Sequence, residues 1–522
     1  MKTKAVVYLG VFIALLPVLL LRDFTPSNEL RYLSIADESL RNGTWVAFTN
    51  HGMPYADKPP LYFWIVRLGR WLFGTHSMFF LSLFSLLPAF VIVYTMDRWA
   101  GPAMDAKADS RGGESERTTS CWVLLSCGLF LGLAIFLRMD MLMSMFIVLS
   151  LYTFYRMMRG EGNRKLHEVL FPVYLFLGVL SKGPMGILIP LAATLAFLLS
   201  ARRIRSFGAY WGGKTWGIFL TGCLVWWSWV YIEGGEAYLR NLLFHQTMDR
   251  AVDSFHHKEP FYYYFLSAGY SVFPWSLLLI GVTVEAFWRK RIRTELEQFF
   301  FVVFFTTFGL LSFISSKLAV YLLPAFPFWV YGVMLRFSDL RWKHWLALTI
   351  AFPAGVYCGA LPLLVWLSRQ EATRWLDHGF FYAAASILML TGIGSFYILY
   401  RRKQWGRTIR LLAVGLFCAV FAGGWGLPRI NPGIGYGDVC RKAREVAAEN
   451  GLTEYRVWNL PRAENMDVYL GTTVRKVTRE EVVSGRLKGT VLLFPVEEMQ
   501  TLEGKMSENK NYKVGPYGIL IL

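Results

Sequence analysis

Carboxylates, cations and tyrosines alternate in two short segments near the N-terminus of the 522-residue sequence. The residues concerned are Glu29, Arg31, Tyr32, Tyr55, Asp57 and Lys58. A carboxylate held near a bilayer can serve as a general base, and an adjacent Arg or Lys can hold a phosphate through charge-assisted hydrogen bonds. For any one of these residues, ordinary anchoring at the membrane surface is the simpler interpretation.

Further ionisable residues lie in very short turns between apolar runs. They are Arg138 and Asp140 in one turn, Lys182 before Gly183 and Pro184 in a second, and Lys317 after two serines in a third. Arg138 and Asp140 taken alone are as consistent with a local ion pair at helix ends as with function. A single lysine in such a turn is best explained by extension of its ammonium group towards water.

A longer loop carries His245 and Arg250 and is followed by a run of three tyrosines. Tyrosines at the edge of an apolar run are typical of the aromatic belt of membrane proteins. His245 with Asp57 could bind a metal, although no local ligand spacing demonstrates such a site.

The combined distribution of these groups favours function over anchoring. Independent anchoring gives no reason for carboxylates, cations and imidazoles to fall on the same side of so many separate helices. We therefore expect one site for an anionic ligand, best satisfied by a lipid whose headgroup carries phosphate. Neither a Walker loop nor a dinucleotide-binding fingerprint is present.

The composition is that of an integral membrane protein. Hydrophobic residues make up 55% of the chain and charged residues only 17%, below the roughly 25% of an average soluble domain. The net charge of +18 comes from short Lys and Arg clusters between apolar runs, so a nucleic-acid-binding surface is not indicated. The six scattered cysteines form no disulfide or zinc framework.

Apolar runs near the ~20 residues needed to cross a bilayer recur along the chain and predict about thirteen transmembrane helices. They lie at about 5–21, 78–96, 121–137, 141–156, 168–181, 185–200, 214–232, 262–287, 298–314, 318–335, 345–367, 379–400 and 410–427. The first run resembles a signal peptide, but Leu21-Arg22-Asp23 offers no small-residue cleavage site. We therefore expect an uncleaved first helix.

The loop charges predict the orientation. If the N-terminus is cytoplasmic, Lys and Arg cluster in the inward loops at 98–117, 156–165, 202–214, 289–293, 336–343 and 401–410. This pattern agrees with the positive-inside rule. The chain is then a multi-pass membrane protein whose C-terminal domain lies on the outward side.

Three segments outside the apolar runs are predicted to be structured. The first outward loop, 22–77, has apolar residues at helical spacing and predicts two amphipathic interfacial helices joined at Asn42-Gly43. A second large loop spans 233–261. After the transmembrane domain of residues 1–427, residues 428–522 predict a small α/β domain with a helix at 438–450 and strands at 455–459, 490–495 and 518–522.

The ordered motifs resemble those of GT-C membrane glycosyltransferases, specifically the aminoarabinose transferase and protein O-mannosyltransferase superfamily. The resemblance covers roughly the first 330 residues. The motifs are Glu29-Leu30-Arg31-Tyr32, Asp57-Lys58-Pro59-Pro60, Arg138-Met139-Asp140, Lys182-Gly183-Pro184, His245 with Arg250, and Lys317 to Pro324.

The resemblance implies an inverting transfer of sugar from a polyprenyl-phosphate donor to a lipid acceptor such as lipid A or to a protein. The transfer would take place at the periplasmic face of the bacterial inner membrane, so the outward side of the chain, with its C-terminal domain, would be periplasmic. Arg31, Lys58, Arg250 and Tyr321 would contact the lipid phosphate, with Tyr55 nearby, and Asp140 would match an essential carboxylate. Asp57 and His245 would correspond to zinc ligands of some relatives, although the chemistry requires no metal. Relatives usually begin the first motif with Asp-Glu, whereas this chain has Asn28. Since an amide cannot be a base, we assign that role to Glu29 with Asp140 as an orienting partner, unless the acceptor is already anionic.

Two other functional hypotheses stay open. A lipid or sugar transporter or flippase would also have many helices and few buried charges, but such proteins tend to show related halves, and none is visible here. A catalytically silent glycolipid-binding relative would be compatible with Asn28. The sugar and the acceptor cannot be read from these residues.

Overall fold

The computed structural model describes residues 2–109, 116–244, 259–289, 292–337, 339–340, 343–483, 487–502 and 510–522. The α-helices are α1 (Lys2–Leu21), α2 (Glu29–Asn42), α3 (Leu61–Phe73), α4 (Met78–Asp109), α5 (Arg117–Ser126), α6 (Gly128–Ile135), α7 (Met139–Arg159), α8 (Arg164–Lys182), α9 (Met185–Ser200), α10 (Phe207–Tyr210), α11 (Gly213–Arg240), α12 (Tyr263–Ser271), α13 (Ser276–Trp288), α14 (Glu295–Phe313), α15 (Phe326–Phe337), α16 (His344–Cys358), α17 (Ala360–Ser368), α18 (Gly379–Tyr397), α19 (Trp405–Gly424), α20 (Leu427–Ile434), α21 (Gly437–Glu449), α22 (Asp467–Leu470) and α23 (Arg479–Val483).

Strands and tighter helices complete the described elements. The strands are β1 (Thr49–Asn50), β2 (Met53–Pro54), β3 (Glu454–Val457), β4 (Arg475–Lys476), β5 (Thr490–Pro495), β6 (Asn511–Val514) and β7 (Tyr517–Ile521). Short 3-10 helices lie at Ile204–Ser206, Ala319–Ala325, Glu371–Leu376, Ala463–Met466 and Val496–Leu502, and a π-helix at Ile398–Arg402.

Each of the thirteen predicted apolar runs lies on one or two helices, which confirms the mostly helical membrane architecture. Within the described ranges, eight helices are long and apolar enough to span a bilayer, and the bent pair α5 and α6 would make a ninth. Three shorter apolar helices and α8 occupy other predicted spans. Thirteen crossings therefore remains a prediction.

Two of the predicted spans are broken into helix pairs whose interrupted ends contact each other. Helices α5 and α6 meet at a 69° bend, and Pro274 lies between α12 and α13. At these breaks the Gly128 N–H donates to the Phe273 carbonyl at 2.7 Å, and Trp275 Nε1 donates to Ser126 Oγ at 2.8 Å. The first bond pairs a backbone N–H at the start of α6 with a carbonyl that lies outside the helices, as an apolar environment requires. The second joins two side chains across the breaks.

The chain divides into two compact units. The first comprises residues 1–16, 56–62 and 82–422, and the second comprises residues 17–55, 63–81 and 423–522. The second unit thus groups most of the first loop with the C-terminal segment. The domain boundary at 427 remains a prediction.

In the first unit, α8 and α9 form a tight hairpin because glycines face each other across the helix pair. A Cβ atom placed on Gly186 would overlap the backbone of Gly178 and Val179. Such small residues permit close backbone approach where helices pack in a membrane. No side chain fits at residue 186 without separating the two helices.

In the second unit, both amphipathic helices of the first loop are present as α2 and α3. Helix α2 ends at Asn42, followed by Gly43 in the left-handed conformation with φ of 71°, so the predicted turn is confirmed. Trp71, Leu72 and Phe73 of α3 are exposed, as expected of a helix with an apolar face that meets a bilayer surface. The β1–β2 hairpin between the helices was not predicted.

The C-terminal sheet has five strands in the order β4-β3-β5-β7-β6. Strands β4, β3 and β5 are parallel, and β5, β7 and β6 are antiparallel. The small α/β domain is confirmed, with the predicted helix as α21 and the predicted strands as β3, β5 and β7. Its core contains Trp458, Val477, Val482, Leu492, Phe494 and Leu520.

We expect Gly186→Ala to destabilise the protein by about 1–3 kcal/mol, because the added methyl group must push α8 and α9 apart. The measurement is the thermal unfolding midpoint of the purified protein in detergent. Gly309→Ala is the matched control, since a Cβ there meets nothing within 4 Å and alanine favours a helix. A midpoint for Gly186→Ala at or above that of the control would contradict the close approach.

Candidate active site

The α7–α8 hairpin places a buried acid against two cations. Asp140 lies in the first turn of α7 and Lys182 is the last residue of α8, so the antiparallel pair brings both residues to one end of the hairpin. The Lys182 ammonium donates a hydrogen bond to Asp140 Oδ1, and Arg138 Nε lies 3.1 Å from Asp140 Oδ2. The Asp140 side chain is only 2% exposed.

Helix ends explain why these charges lie there. A negative charge is stabilised at a helix N-terminus and a positive charge at a C-terminus. The helix dipoles therefore favour Asp140 and Lys182 where they lie, in addition to their attraction for each other. Lys182 Nζ also lies 4.5 Å from the ring centroid of Tyr321, within the range of a cation–π contact. The structure therefore brings together four of the predicted site residues, namely Arg138, Asp140, Lys182 and Tyr321.

Three other predicted site residues of the first unit lie within the described ranges, namely Lys317, Asp57 and Lys58. Lys317 is buried and donates to the Glu259 carbonyl at 3.0 Å. This bond links the segment before α12 to the segment before the 3-10 helix Ala319–Ala325. Asp57 and Lys58 are half-buried in the segment before α3.

In the second unit, Glu29 and Arg31 have different partners although they are two residues apart. Both carboxylate oxygens of Glu29 accept hydrogen bonds from Arg22 at 2.7 Å. Arg31 Nη2 donates to Asn28 Oδ1 at 3.2 Å, and its guanidinium carbon lies 5.9 Å from the ring centroids of Tyr32 and Tyr55. Arg31 Nε is buried without a hydrogen-bond partner in the described structure, which leaves a donor for an anionic ligand.

A second acid, Glu38, holds the hairpin that precedes Tyr55. It accepts hydrogen bonds from the Thr49 hydroxyl at 2.6 Å and from the backbone N–H groups of His51 and Gly52 at 2.6 and 2.9 Å. Burial alone would raise the pKa of Glu38, but these bonds more than offset it, so the pKa lies below its ordinary value. The hairpin is therefore tied to the ionised form of Glu38.

Two predicted residues, His245 and Arg250, lie outside the described residues. Among the residues that the structure describes, no three His, Cys, Asp or Glu side chains are grouped as metal ligands. The assignment of Asp57 and His245 to a metal therefore remains a prediction.

The sequence did not reveal that Arg22 is the partner of Glu29, nor the long-range contacts of α2 and of the β1–β2 hairpin. Arg22 was used only to judge signal cleavage, although a charged residue directly after an apolar run is a recognisable signal. Ser34 of α2 donates to Asp467 at 2.9 Å, and His51 lies 3.2 Å from Asn465 Oδ1. No local pattern connects residues more than 400 positions apart.

The architecture is that of a polytopic membrane protein of the GT-C type, with a helical membrane core and a small sheet-containing segment. No family model matches the chain. Over its full length it is similar to the crystal structure of ArnT from Cupriavidus metallidurans bound to undecaprenyl phosphate, with a TM-score of 0.76, 15% identity and 98% of that chain covered. This similarity establishes the fold.

Named sequence relatives point to the same group. The chain is 26% identical over 329 residues to the undecaprenyl phosphate-alpha-4-amino-4-deoxy-L-arabinose arabinosyl transferase of Edwardsiella ictaluri, covering 62% of this chain and 57% of that protein. The enzyme of the same name from Pectobacterium atrosepticum is 23% identical over 459 residues, covering 81% and 76%. In the first of these comparisons the match spans less than two thirds of the relative. The resemblance to ArnT-like GT-C proteins is confirmed, and it indicates a multi-pass protein of the bacterial inner membrane.

We expect Lys182→Met to destabilise the protein by about 3–5 kcal/mol, because it leaves the buried Asp140 short of a cation. Adding Asp140→Asn should restore part of the loss. The measurement is the unfolding midpoint of each variant in detergent. Lys214→Met is the control, since Lys214 forms an exposed ion pair with Glu168 at 2.9 Å and should contribute about 1 kcal/mol or less. Equal losses at Lys182 and Lys214 would contradict the buried pairing.

We expect Glu38→Gln to lower stability at neutral pH and to make little difference in acid. A folded-state pKa below the unfolded value adds stability above the unfolded pKa, and this stability is lost as pH falls through the folded value. The gap between the midpoints of wild type and variant should therefore close as pH falls below the ordinary glutamate value of 4.5. The exposed Glu480→Gln serves as control, and a gap that is constant with pH would refute this role.

Proposed function

We propose that the protein is an inverting glycosyltransferase that moves a sugar, of the pentose class used by its named relatives, from a polyprenyl-phosphate donor to a lipid acceptor. The observation that carries the proposal is the buried cluster of Arg138, Asp140 and Lys182 with Tyr321. Relatives named for undecaprenyl-phosphate arabinosyl transfer support the donor class. A protein acceptor is the alternative.

The reaction breaks the bond between the anomeric carbon and a phosphate oxygen of the donor. The bonding electron pair leaves with the polyprenyl phosphate, while an acceptor oxygen attacks from the opposite face and inverts the anomeric centre. Arg31, Lys58 and Arg250 stabilise the phosphate as its charge grows, since preorganised cations favour the charge of the transition state. Tyr321 and Tyr55 contribute to the phosphate site.

The hydrogen bonds of the two carboxylates bear on the identity of the base. Glu29 accepts hydrogen bonds from Arg22, and Asp140 accepts from Arg138 and Lys182, so cations of the chain itself already engage both carboxylates. An acceptor that is itself an ionised phosphate needs no base. This bonding supports a phosphorylated glycolipid, such as lipid A, as the acceptor.

The proposed cations also supply the stabilisation for which a metal would otherwise be needed. We therefore expect transfer without an added metal, and activity that survives EDTA. If zinc participates, Asp57 and His245 are the residues assigned to hold it, and EDTA should then abolish transfer.

The proposed orientation places the N-terminus in the cytoplasm and the C-terminal segment in the periplasm. It is supported by the Lys and Arg clusters of the alternate loops. The donor would then be used at the periplasmic face of the inner membrane.

We expect Asp140→Asn and Lys58→Ala to reduce transfer about 100-fold or more while the protein still folds. The assay uses purified protein, undecaprenyl-phosphate 4-amino-4-deoxy-L-arabinose and lipid A, with the product identified by mass spectrometry. Lys442→Ala, an exposed lysine of the C-terminal segment, is the control. Full transfer by both site variants would exclude the proposed mechanism.

The same assay separates the alternative functions. A transporter would move the donor across proteoliposomes without forming product, and a silent relative would bind undecaprenyl phosphate without forming product. Mass spectrometry of membrane lipids and periplasmic proteins, with and without the intact gene, identifies the sugar and the acceptor.

A further inference from the structure

We propose that Arg22 is a positioning residue for the phosphate-binding Arg31, and that Glu29 acts through Arg22 as a structural partner rather than as the base. The inference rests on the proposed function, because it concerns how that site holds its donor. Under this inference neither residue contacts the reacting atoms, and the role of base that the sequence predicted for Glu29 is replaced by a positioning role.

The ion pair of Arg22 and Glu29 joins the ends of two helices. Arg22 directly follows α1, and Glu29 is the first residue of α2. Nη1 and Nη2 of Arg22 each lie 2.7 Å from a different oxygen of Glu29, and the two side chains are 4% and 1% exposed. Two parallel charge-assisted bonds fix both the distance and the angle between the groups.

The Glu29 carboxylate is further occupied by the segment between the helices. Its Oε2 atom accepts from the Thr25 backbone N–H at 2.8 Å and from the Thr25 hydroxyl at 2.9 Å. Oε2 thus accepts three hydrogen bonds, and Oε1 accepts the fourth from Arg22. All four bonds come from Arg22 and Thr25, so the carboxylate holds the segment between the two helices in place.

Arg31 lies in the helical turn that this pair fixes. The Leu30 N–H donates to the Thr25 carbonyl and the Tyr32 N–H to the Asn28 carbonyl, both at 3.1 Å, so the backbone on each side of Arg31 is bonded to the linking segment. The Arg31 side chain donates back to Asn28 at 3.2 Å. A shift of Glu29 therefore moves the Arg31 guanidinium. The buried Nε of this guanidinium is the donor available to a ligand.

The test is a double-mutant cycle on purified full-length protein with Arg22→Gln, Glu29→Gln and the combined variant. We expect the KM for the polyprenyl-phosphate donor to rise roughly tenfold or more in each single variant, with a smaller change in kcat. The combined variant should be no worse than either single one, because both act through one interaction. Arg22→Lys, which keeps the charge but loses the paired geometry, should give an intermediate KM.

Two controls separate positioning from a general loss of charge or fold. Arg41→Gln removes an exposed cation at the other end of α2 and should leave the KM unchanged. Unfolding midpoints identify variants that fail to fold. If Arg22→Gln or Glu29→Gln fails to fold, the KM of Arg22→Lys tests the inference in its place. A wild-type KM in Arg22→Lys and in every folded variant, or additive losses in the double variant, would overturn the inference.

The pH profile tests Glu29 as base directly. If Glu29→Gln lowers kcat without changing KM and removes the acidic limb of the kcat profile, Glu29 is the base and the inference is wrong. Binding of undecaprenyl phosphate itself, followed by tryptophan fluorescence, gives a readout that does not depend on transfer. Should wild type bind this probe but form no product, the proposed function fails, while weaker binding by Arg22→Lys would still support positioning.

Discussion

A charge removed from water beside a hydrocarbon layer needs an opposite charge or a set of hydrogen bonds, and this requirement organises both groups of candidate site residues. Asp140 has Arg138 and Lys182, and Glu29 has Arg22. All of these residues lie at helix ends, where the unsatisfied backbone groups add to the stabilisation. The same interactions that make the charges tolerable therefore also fix their geometry.

The backbone obeys the same constraint. The predicted spans at 121–137 and 262–287 are each interrupted, and each interruption frees polar groups that lipid cannot satisfy. The bonds from Gly128 to Phe273 and from Trp275 to Ser126 pair the two interruptions. The bend in one span is therefore part of a contact with another span. At this pair of breaks, the backbone N–H of Gly128 on one span finds its acceptor on the other span.

These features explain what the sequence could and could not predict. Hydropathy located the helices on which the thirteen predicted runs lie, and short strand-forming segments located β3, β5 and β7, because both signals are local. The edge strands were missed because they are short: β4 is two exposed basic residues, and β6 alternates polar and apolar residues over only four positions. The bend at Cys127 was missed because the apolar run continues through it. The pairing of Arg22 with Glu29 and of Ser34 with Asp467 depends on tertiary contacts, which spacing along the chain does not encode.

The departure at Asn28 has a consequence for charge as well as for proton transfer. As a neutral acceptor, Asn28 orients Arg31 through a hydrogen bond without cancelling its positive charge. An aspartate at residue 28 would form an ion pair with Arg31 and so weaken its attraction for phosphate, while offering a base for a hydroxyl acceptor. Compared with an aspartate, the Asn28 amide cannot act as a base, but it leaves the electrostatic potential at Arg31 more positive. A reaction in which both the leaving group and the attacking group are phosphates gains from this exchange, because it uses the added potential and does not need the missing base.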